Sequence, residues 1–476
     1  MATKKKKPHV LLVPHPAQGH VFPMLKLAHK LTDHGISVTV ANLDFIHRKI
    51  IPQQQQGKQS HGTDGGGIRM VSLPDGLGSH SDSIDVVLRT ETVQKVLPVR
   101  LRELLIQQQS LSNDDEEQKF SWIIADACHF GVFIVAREMG IKTVALWTAS
   151  QENLALVLRI PQLIETGTIN ENGFLVDKEL PISISEEMVA WKANELPWSA
   201  PSEELQSFYF KNCYSKPSEH CSLYHHVIVN SFHELEPSAF QLFPNFLPIG
   251  PLVINSANSG GSFWRQDETC LTWLDKRPPK SVIFIAFGSM AVLSQKQFQE
   301  LALGLELAGR PFLWVIRTNF VQGPGGSGLE FPNGYLERVA NMGKIVEWTN
   351  QARVLSHPSV GCFVSHCGWN STLEGLWCGV PFLCWPYFLD QFHNKESICE
   401  AWKVGLKLKA EKDGSGLTTM SEIASKVEQL LNDETIKGNA NRLREVARES
   451  VNQGGSSSHS FSSFVNQLCS NDVACE

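Results

Sequence analysis

The segment HVLLVPHPAQGHVFPMLKLAHKLTDHGISVTV, residues 9–40, decides the fold. His9–Val13 is a short apolar run, the pattern of a strand covered on both faces. Phe22, Leu25, Ala28 and Leu31 then recur at helical spacing. Gly35 stops that helix, and Ile36–Val40 opens a second apolar run. Strand, helix and strand in about thirty residues form a βαβ unit, which makes the two strands parallel. The turn between the first strand and the helix holds two histidines, His15 and His20, and raises the question of which of them does chemistry.

The same alternation continues through all 476 residues. Strands are predicted at Trp122–Ala125, Thr143–Trp147 and Val227–Asn230, then at Ser281–Phe287, Phe312–Ile316, Ile345–Trp348, Gly361–Val364 and Pro381–Trp385. Ser294, with Gln297 three residues later, predicts a capping box opening a helix through Leu307. Gln53–Gly67 and the acidic run Ser110–Lys119 read as surface insertions. The segment IGPLVINSANSGG, 249–261, is poor in large apolar groups and reads as the interdomain linker. The expected organisation is α/β with two Rossmann-like doubly wound domains facing a central cleft. The first is residues 1–248, the linker 249–262 and the second 263–455. A Gly/Ser-rich hinge at Gly454–Ser458 leads to a last helix, within 456–476, expected to pack back on the first domain.

Composition narrows the function. A net charge of −7 with 19% charged residues argues against a nucleic-acid or membrane-surface role. No apolar run approaches the roughly 20 residues of a membrane span. No signal peptide is visible, and eleven cysteines without a CxxC pair suit a reducing cytoplasm. The Asn370-Ser371-Thr372 sequon is then expected to go unused. Metal ligation is not expected. His15 and His20 are not an HExxH pair, Cys362, His366 and Cys367 lack structural-zinc spacing, and no DxD occurs. The sequence Gly323–Gly328, GPGGSG, matches GxGxxG, but Pro324 sits inside it and no helix start follows, so it reads as a loop and not a dinucleotide cradle.

The informative region is Trp348–Gln391, WTNQARVLSHPSVGCFVSHCGWNSTLEGLWCGVPFLCWPYFLDQ. FVSHCGWNSTLEG reads as strand, turn and helix, with the helix beginning near Asn370. The free N–H groups of its first turn, with the Asn370 and Ser371 side chains, form an anion site suited to a diphosphate. Trp348, ending a strand, offers an indole to a flat base. Glu374 is placed to accept from vicinal hydroxyls, and Asp390-Gln391 to read a sugar. Together these features describe a nucleotide-sugar pocket.

This segment resembles the signature box of plant secondary-product UDP-glycosyltransferases, which are metal-independent inverting enzymes of the two-domain GT-B fold. The family box runs from Trp to Gln over 44 residues, as it does here. PHPAQGH near the start, LPDGL at 73–77, VNSFHELE at 229–236, IGPL at 249–252 and FGS at 287–289 extend the resemblance over the whole chain. The resemblance implies that Trp348 stacks on uracil with Gln351 near the ribose or base. His357, Ser289, Asn370 and Ser371 would hold the diphosphate, and Glu374 the ribose hydroxyls. Trp369, Asp390 and Gln391 would contact the sugar, with Thr148 approaching it from the other domain. A terminal Gln is similar to that of glucose-using members, so UDP-glucose is the expected donor co-substrate.

Glycosyl transfer needs a base for the acceptor hydroxyl. His20 opens the first helix, whose dipole disfavours imidazolium and keeps the neutral base populated. Asp126, directly after the Trp122–Ala125 strand, projects at the same sheet edge and would orient the imidazole. His15 is expected only to cap or pack the turn. The expected enzyme is a monomer acting on a small lipophilic acceptor, phenolic or terpenoid, read by first-domain residues such as Trp191 and Trp198. Transfer to an aryl carbon uses the same pair and stays open. An NAD(P)-dependent oxidoreductase would need a glycine fingerprint better placed than 323–328, and a non-catalytic binder would have no use for the base.

Overall fold

The computed structural model describes residues 8–55, 67–78, 85–110, 119–252, 267–317, 320–322, 330–411, 413 and 415–470. The GxGxxG stretch, nearly all of the acidic run, most of the Gln/Gly-rich run and the linker beyond Leu252 lie outside the described residues. The chain divides into two compact units. One comprises residues 1–193, 200–263 and 449–476, and the other 194–199 and 264–448.

The first unit is built on seven strands: β1 (His9–Val13), β2 (Ser37–Leu43), β3 (Ile68–Leu73), β4 (Trp122–Asp126), β5 (Lys142–Trp147), β6 (His226–Val229) and β7 (Leu247–Pro248). Their order is β3-β2-β1-β4-β5-β6-β7, and every pairing is parallel. β1 and β4 are buried at all five of their positions, as expected of strands covered by helices on both faces. The first helix, Gln18–Asp33, presents Val21, Met24, Leu25, Ala28 and Leu31 to the core. The last helix, Ser456–Cys469, closes this unit, and the Trp122 indole donates to the Leu468 carbonyl at 3.2 Å. That helix starts at Ser456, so the glycine pair Gly454-Gly455 alone makes the bend that the composition extended to Ser458.

The second unit carries β8 (Val282–Ala286), the two-residue β9 (Leu293–Ser294), β10 (Phe312–Val315), the two-residue β11 (Val321–Gln322), β12 (Gly343–Val346), β13 (Val360–Ser365), β14 (Phe382–Cys384) and β15 (Gly405–Lys407). β9 and β11 pair with each other. The other six form a sheet in the order β12-β10-β8-β13-β14-β15, again wholly parallel. Numbered within this sheet alone, the order is 3-2-1-4-5-6, that of doubly wound nucleotide-binding folds, and the first six strands of unit one repeat it.

Local departures have local causes. The strand expected at Ile345–Trp348 is Gly343–Val346, because its only sheet partner, β10, ends at Val315 opposite Val346. Trp348 therefore lies two residues past the strand. Ser294 does cap the helix Gln295–Ala308, accepting from the Gln297 amide at 3.2 Å. The box is not reciprocal, however, because the Gln297 side chain pairs with the Thr418 backbone in both directions, at 2.8 and 2.9 Å. Trp191 and Trp198, expected to read an acceptor, are fully buried. An indole of that size contributes more as core than as an exposed reader.

The Gln295–Ala308 helix crosses the Met420–Asn432 helix through Phe298, Leu301 and Leu305 against Ile423, Val427 and Leu430. At the crossing, a Cβ on Gly304 would sit 2.8 Å from the Ile423 Cβ and 3.1 Å from the Met420 carbonyl oxygen. Gly304→Ala gains about 1 kcal/mol of helix propensity. Overpacking against a rigid branch point costs about 1–3 kcal/mol and wins. The variant should be less stable by roughly 1 kcal/mol in denaturant unfolding; a gain in stability would show that the helices separate freely.

Candidate functional site

In the first unit the site is at the carboxyl ends of β1 and β4. His20 is the third residue of its helix, and its backbone N–H bonds the Ala17 carbonyl at 3.0 Å. Its Nδ1 lies 2.6 Å from Asp126 Oδ2. Asp126 is the last residue of β4 and not the first beyond it. Its other oxygen accepts from the Cys128 amide at 3.0 Å. A carboxylate only accepts, so Nδ1 carries the proton and Nε2 the lone pair. The carboxylate is 2% exposed and the imidazole 30%. Thr148, just past β5, has its Oγ1 3.0 Å from the same Nδ1. The structure thus puts Thr148 beside the imidazole.

Two further histidines crowd this pair. The His15 ring meets the His20 ring edge-on at 4.9 Å between centroids, and the His129 ring at the same distance. Burial, then the neighbouring His20 and His129, hold the His15 imidazole well below its ordinary value. Burial pulls His129 down to about 4, against the opposing pull of Asp126. For Asp126 burial acts upward. Attraction to His20, the hydrogen bond from it and the weaker influence of His15 and His129 outweigh that, and the carboxyl stays well below the usual carboxylate range. His129 was not legible in the sequence, since no motif marks it.

In the second unit the candidates gather at the carboxyl ends of β8 and β13. The helix Trp369–Cys378 begins one residue before Asn370, with Gly368 as N-cap and no side-chain cap. No side chain of the N-cap residue therefore caps its first turn. Gln351, first residue of the Gln351–Leu355 helix, donates through Nε2 to Ser371 Oγ at 2.8 Å and to Glu374 Oε2 at 2.9 Å. Three sequence-predicted residues are thereby joined. Trp348 is partly exposed near them, and its carbonyl accepts from the Asp267 amide. Trp369 is 4% exposed, with its ring 6.3 Å from that of Trp402.

Other candidates have structural partners. Gln391 is 6% exposed, and its side-chain oxygen accepts from the Tyr387 and Phe388 amides at 2.9 and 3.2 Å. Asp390 Oδ2 accepts from Asn394 Nδ2 at 2.9 Å, and the same amide reaches the Cys367 carbonyl at 2.9 Å. Asn394 thus ties the Asp390-Gln391 corner to the turn before the Trp369 helix. His357 is engaged elsewhere, with Nδ1 at 2.8 Å from Ser359 Oγ and Nε2 at 3.1 Å from Asp275 Oδ1. The histidine that the fold brings to the strand-turn-helix junction is His366. Its ring lies between Gly288 and Gly368, where a Cβ on either would approach Nε2 to 2.5 Å. Burial holds it down to about 4, with a bond to the Ala286 backbone opposing. Ser289 follows Gly288, and its carbonyl accepts from Arg317 Nη1 at 2.6 Å. Arg317 is buried, its pKa brought to about 10 by desolvation, and neither it nor His366 stood out as a site residue in the sequence. Among the described residues no group of three or more His, Cys, Asp or Glu is placed to hold a metal ion, and no helix is long and apolar enough to cross a membrane.

Two parallel doubly wound sheets, one ending in a His–Asp pair and one in a helix N-terminus that follows a glycine N-cap, define a two-Rossmann nucleotide-sugar enzyme. Solved structures like this chain share that GT-B fold. Os79 from O. sativa in complex with UDP is 24% identical with a TM-score of 0.77, over 96% of this chain and 100% of that one. Phytolacca americana UGT2, complexed with UDP-2fluoro-glucose and pterostilbene, is 26% identical with a TM-score of 0.77, over 97% and 100%. The sequence profile of the UDP-glucoronosyl and UDP-glucosyl transferases matches residues 80–451. UDP-glycosyltransferase 83A1 of Arabidopsis thaliana is 35% identical over 97% of both chains. The chain belongs to this family, in its plant branch, and is a UDP-glycosyltransferase.

Two outcomes follow from the geometry. Gly288 has φ +67, so Gly288→Ala combines a left-handed strain of about 1 kcal/mol with a clash on His366. Its melting temperature should fall by roughly 4–8 °C, from a total loss of about 2 kcal/mol; an unchanged melt would show that the ring moves aside freely. The pH response has a definite sign. A histidine held neutral in the fold costs nothing above its unfolded value near 6.5. Stability is lost as pH falls from there toward about 4, because only the unfolded chain takes the proton. Melting temperature should fall between pH 7 and 5, and fall less in His129→Gln; equal slopes would remove His129 from the account.

Proposed function

We propose that the chain transfers glucose from UDP-glucose, with inversion, to a small lipophilic hydroxyl compound, His20 acting as general base and Asp126 orienting it. The observation that carries this reading is the 2.6 Å contact between His20 Nδ1 and the buried Asp126 carboxylate. It leaves Nε2 as the basic nitrogen of a partly exposed ring. Nε2 takes the proton of the acceptor hydroxyl as its oxygen attacks the anomeric carbon, and UDP leaves from the opposite face. One displacement inverts the configuration. The carboxylate stabilises the imidazolium that forms and is not itself protonated.

In this reading residues 1–248 bind the acceptor and residues 263–455 the donor. The leaving diphosphate is held by the N-terminus of the Trp369–Cys378 helix with Asn370, Ser371 and Ser289, so charge is taken up by oriented N–H groups without a metal. His366, packed under that turn, supports it more directly than His357. Gln351 and Glu374 are already bonded to each other in a way that suits the two hydroxyls of a ribose, with Trp348 stacking on the base. Trp369, Asp390, Gln391 and Thr148 are left to the sugar. The ligands named for the Phytolacca americana structure, UDP-2fluoro-glucose and pterostilbene, support a glucose donor and a phenolic acceptor.

UDP release with a panel of phenols and terpenoid alcohols, together with UDP titration, tests the assignment. His20→Ala should lose about 10²–10⁴-fold in turnover while UDP affinity stays within twofold. Asp126→Asn should also lose turnover, because the wrong tautomer faces the acceptor. Wild-type turnover in His20→Ala would sink the base assignment. UDP-glucose should outcompete UDP-galactose and UDP-glucuronate as donor.

A further inference from the structure

A buried guanidinium lies against the turn that follows β8 in the second unit. Arg317 comes two residues after the end of β10 and is 5% exposed. Its Nη1 donates to the Ser289 carbonyl at 2.6 Å and its Nη2 to the Ala291 carbonyl at 2.5 Å. One planar fork thus spans the turn Ser289-Met290-Ala291, directly after Gly288 with its φ of +67. The Arg317 backbone is anchored to the same segment. Its carbonyl accepts from the Phe320 amide at 3.1 Å, and the Phe320 carbonyl accepts from the Leu293 amide at 2.9 Å.

The fork decides which way the turn faces. In a trans peptide the carbonyl and the following N–H point in opposite directions. With the Ser289 and Ala291 carbonyls on Arg317, the Met290 and Val292 N–H groups are turned away from it. The turn is exposed where Arg317 does not cover it: Ser289 is partly exposed and Met290 47% exposed. It also lies at the carboxyl end of β8, the edge where doubly wound sheets bind ligands. A positive charge on a carbonyl polarises the peptide and makes its outward N–H a stronger donor to an anion. Burial, and less strongly the Arg317 charge, hold the His366 imidazole down against its bond to the Ala286 backbone, so that charge is felt at the neighbouring strand-end turn. Desolvation brings the Arg317 pKa to about 10, which leaves it charged at neutral pH. An unbranched apolar side chain would fill the space without that desolvation.

We propose that Arg317 is a positioning residue for the donor diphosphate: it clamps the Ser289–Ala291 turn so that the outward N–H groups and the Ser289 hydroxyl are held ready for phosphate oxygens. This role rests on the reading of Ser289 as a diphosphate contact and gives that contact its support. The test compares UDP, by calorimetry, with uridine, by ligand-observed NMR, on the full chain. Arg317→Met removes both bonds and the charge. UDP affinity should fall about ten- to hundredfold, while uridine stays within twofold. Arg317→Lys keeps the charge but not the fork, and should lose about three- to tenfold in UDP affinity, again sparing uridine. If Arg317→Met does not fold, Arg317→Lys decides by the same split. Equal losses for uridine and UDP would reduce Arg317 to general support of the unit, and unchanged UDP affinity would remove it from the site; either overturns the proposal. Ser289→Ala and Asn370→Ala separate the clamp from the reading beneath it. UDP loss in these two with none in the Arg317 variants sinks the clamp alone. Wild-type UDP affinity in all four variants sinks the diphosphate site itself.

Discussion

Everything functional in this molecule depends on one topological constraint. In each sheet the chain builds outward from a central strand in one direction, then returns to that strand and builds in the other. The two central neighbours, β1 with β4 and β8 with β13, send their following segments to opposite faces. Their carboxyl ends are adjacent, and nothing in the sheet fills the space above them. This brings His20 to Asp126 across 106 residues of sequence, and Gly288 to His366 across the second sheet. Neither juxtaposition requires a special loop.

The electrostatics at the first of these points are unusually one-sided. A single carboxylate faces three imidazoles, one bonded to it and two packed close by. Desolvation keeps the outer two uncharged at neutral pH, so the carboxylate's attraction is not divided among competing cations. At the second point the arrangement is steric. Gly288 and Gly368 are glycines because an imidazole occupies the place of both side chains. The close fit holds two strand-end turns together just before the Trp369–Cys378 helix begins.

The parts legible in the sequence were those with short-range causes. Apolar runs marked the buried central strands within a residue or two. Ser294 announced its helix, and the His20 and Asp126 positions followed from their places at strand ends. What was missed has distant causes. The end of β12 is set by the length of β10, and the Gln297 side chain is claimed by Thr418, 121 residues away. Trp191 could not be told from a surface tryptophan until its indole was seen donating to Asn153 in the core. His357 and His366 are nine residues apart in one box, and only the fold shows which one reaches the junction. The short β15 and the partly exposed β3 carry too little periodicity to register alone.

The last helix has a consequence for how the chain is made. Residues 449–470 belong to the same compact unit as β1, and the Trp122 side chain on β4 is completed by the Leu468 carbonyl. On the ribosome the strands of the first unit emerge first, yet the Leu468 carbonyl that completes Trp122 is made only after the second unit. The body of the second unit, 264–448, has all its strands beforehand. The second unit can therefore finish folding before the first, and the unit bearing the His–Asp pair is closed by a helix made after it.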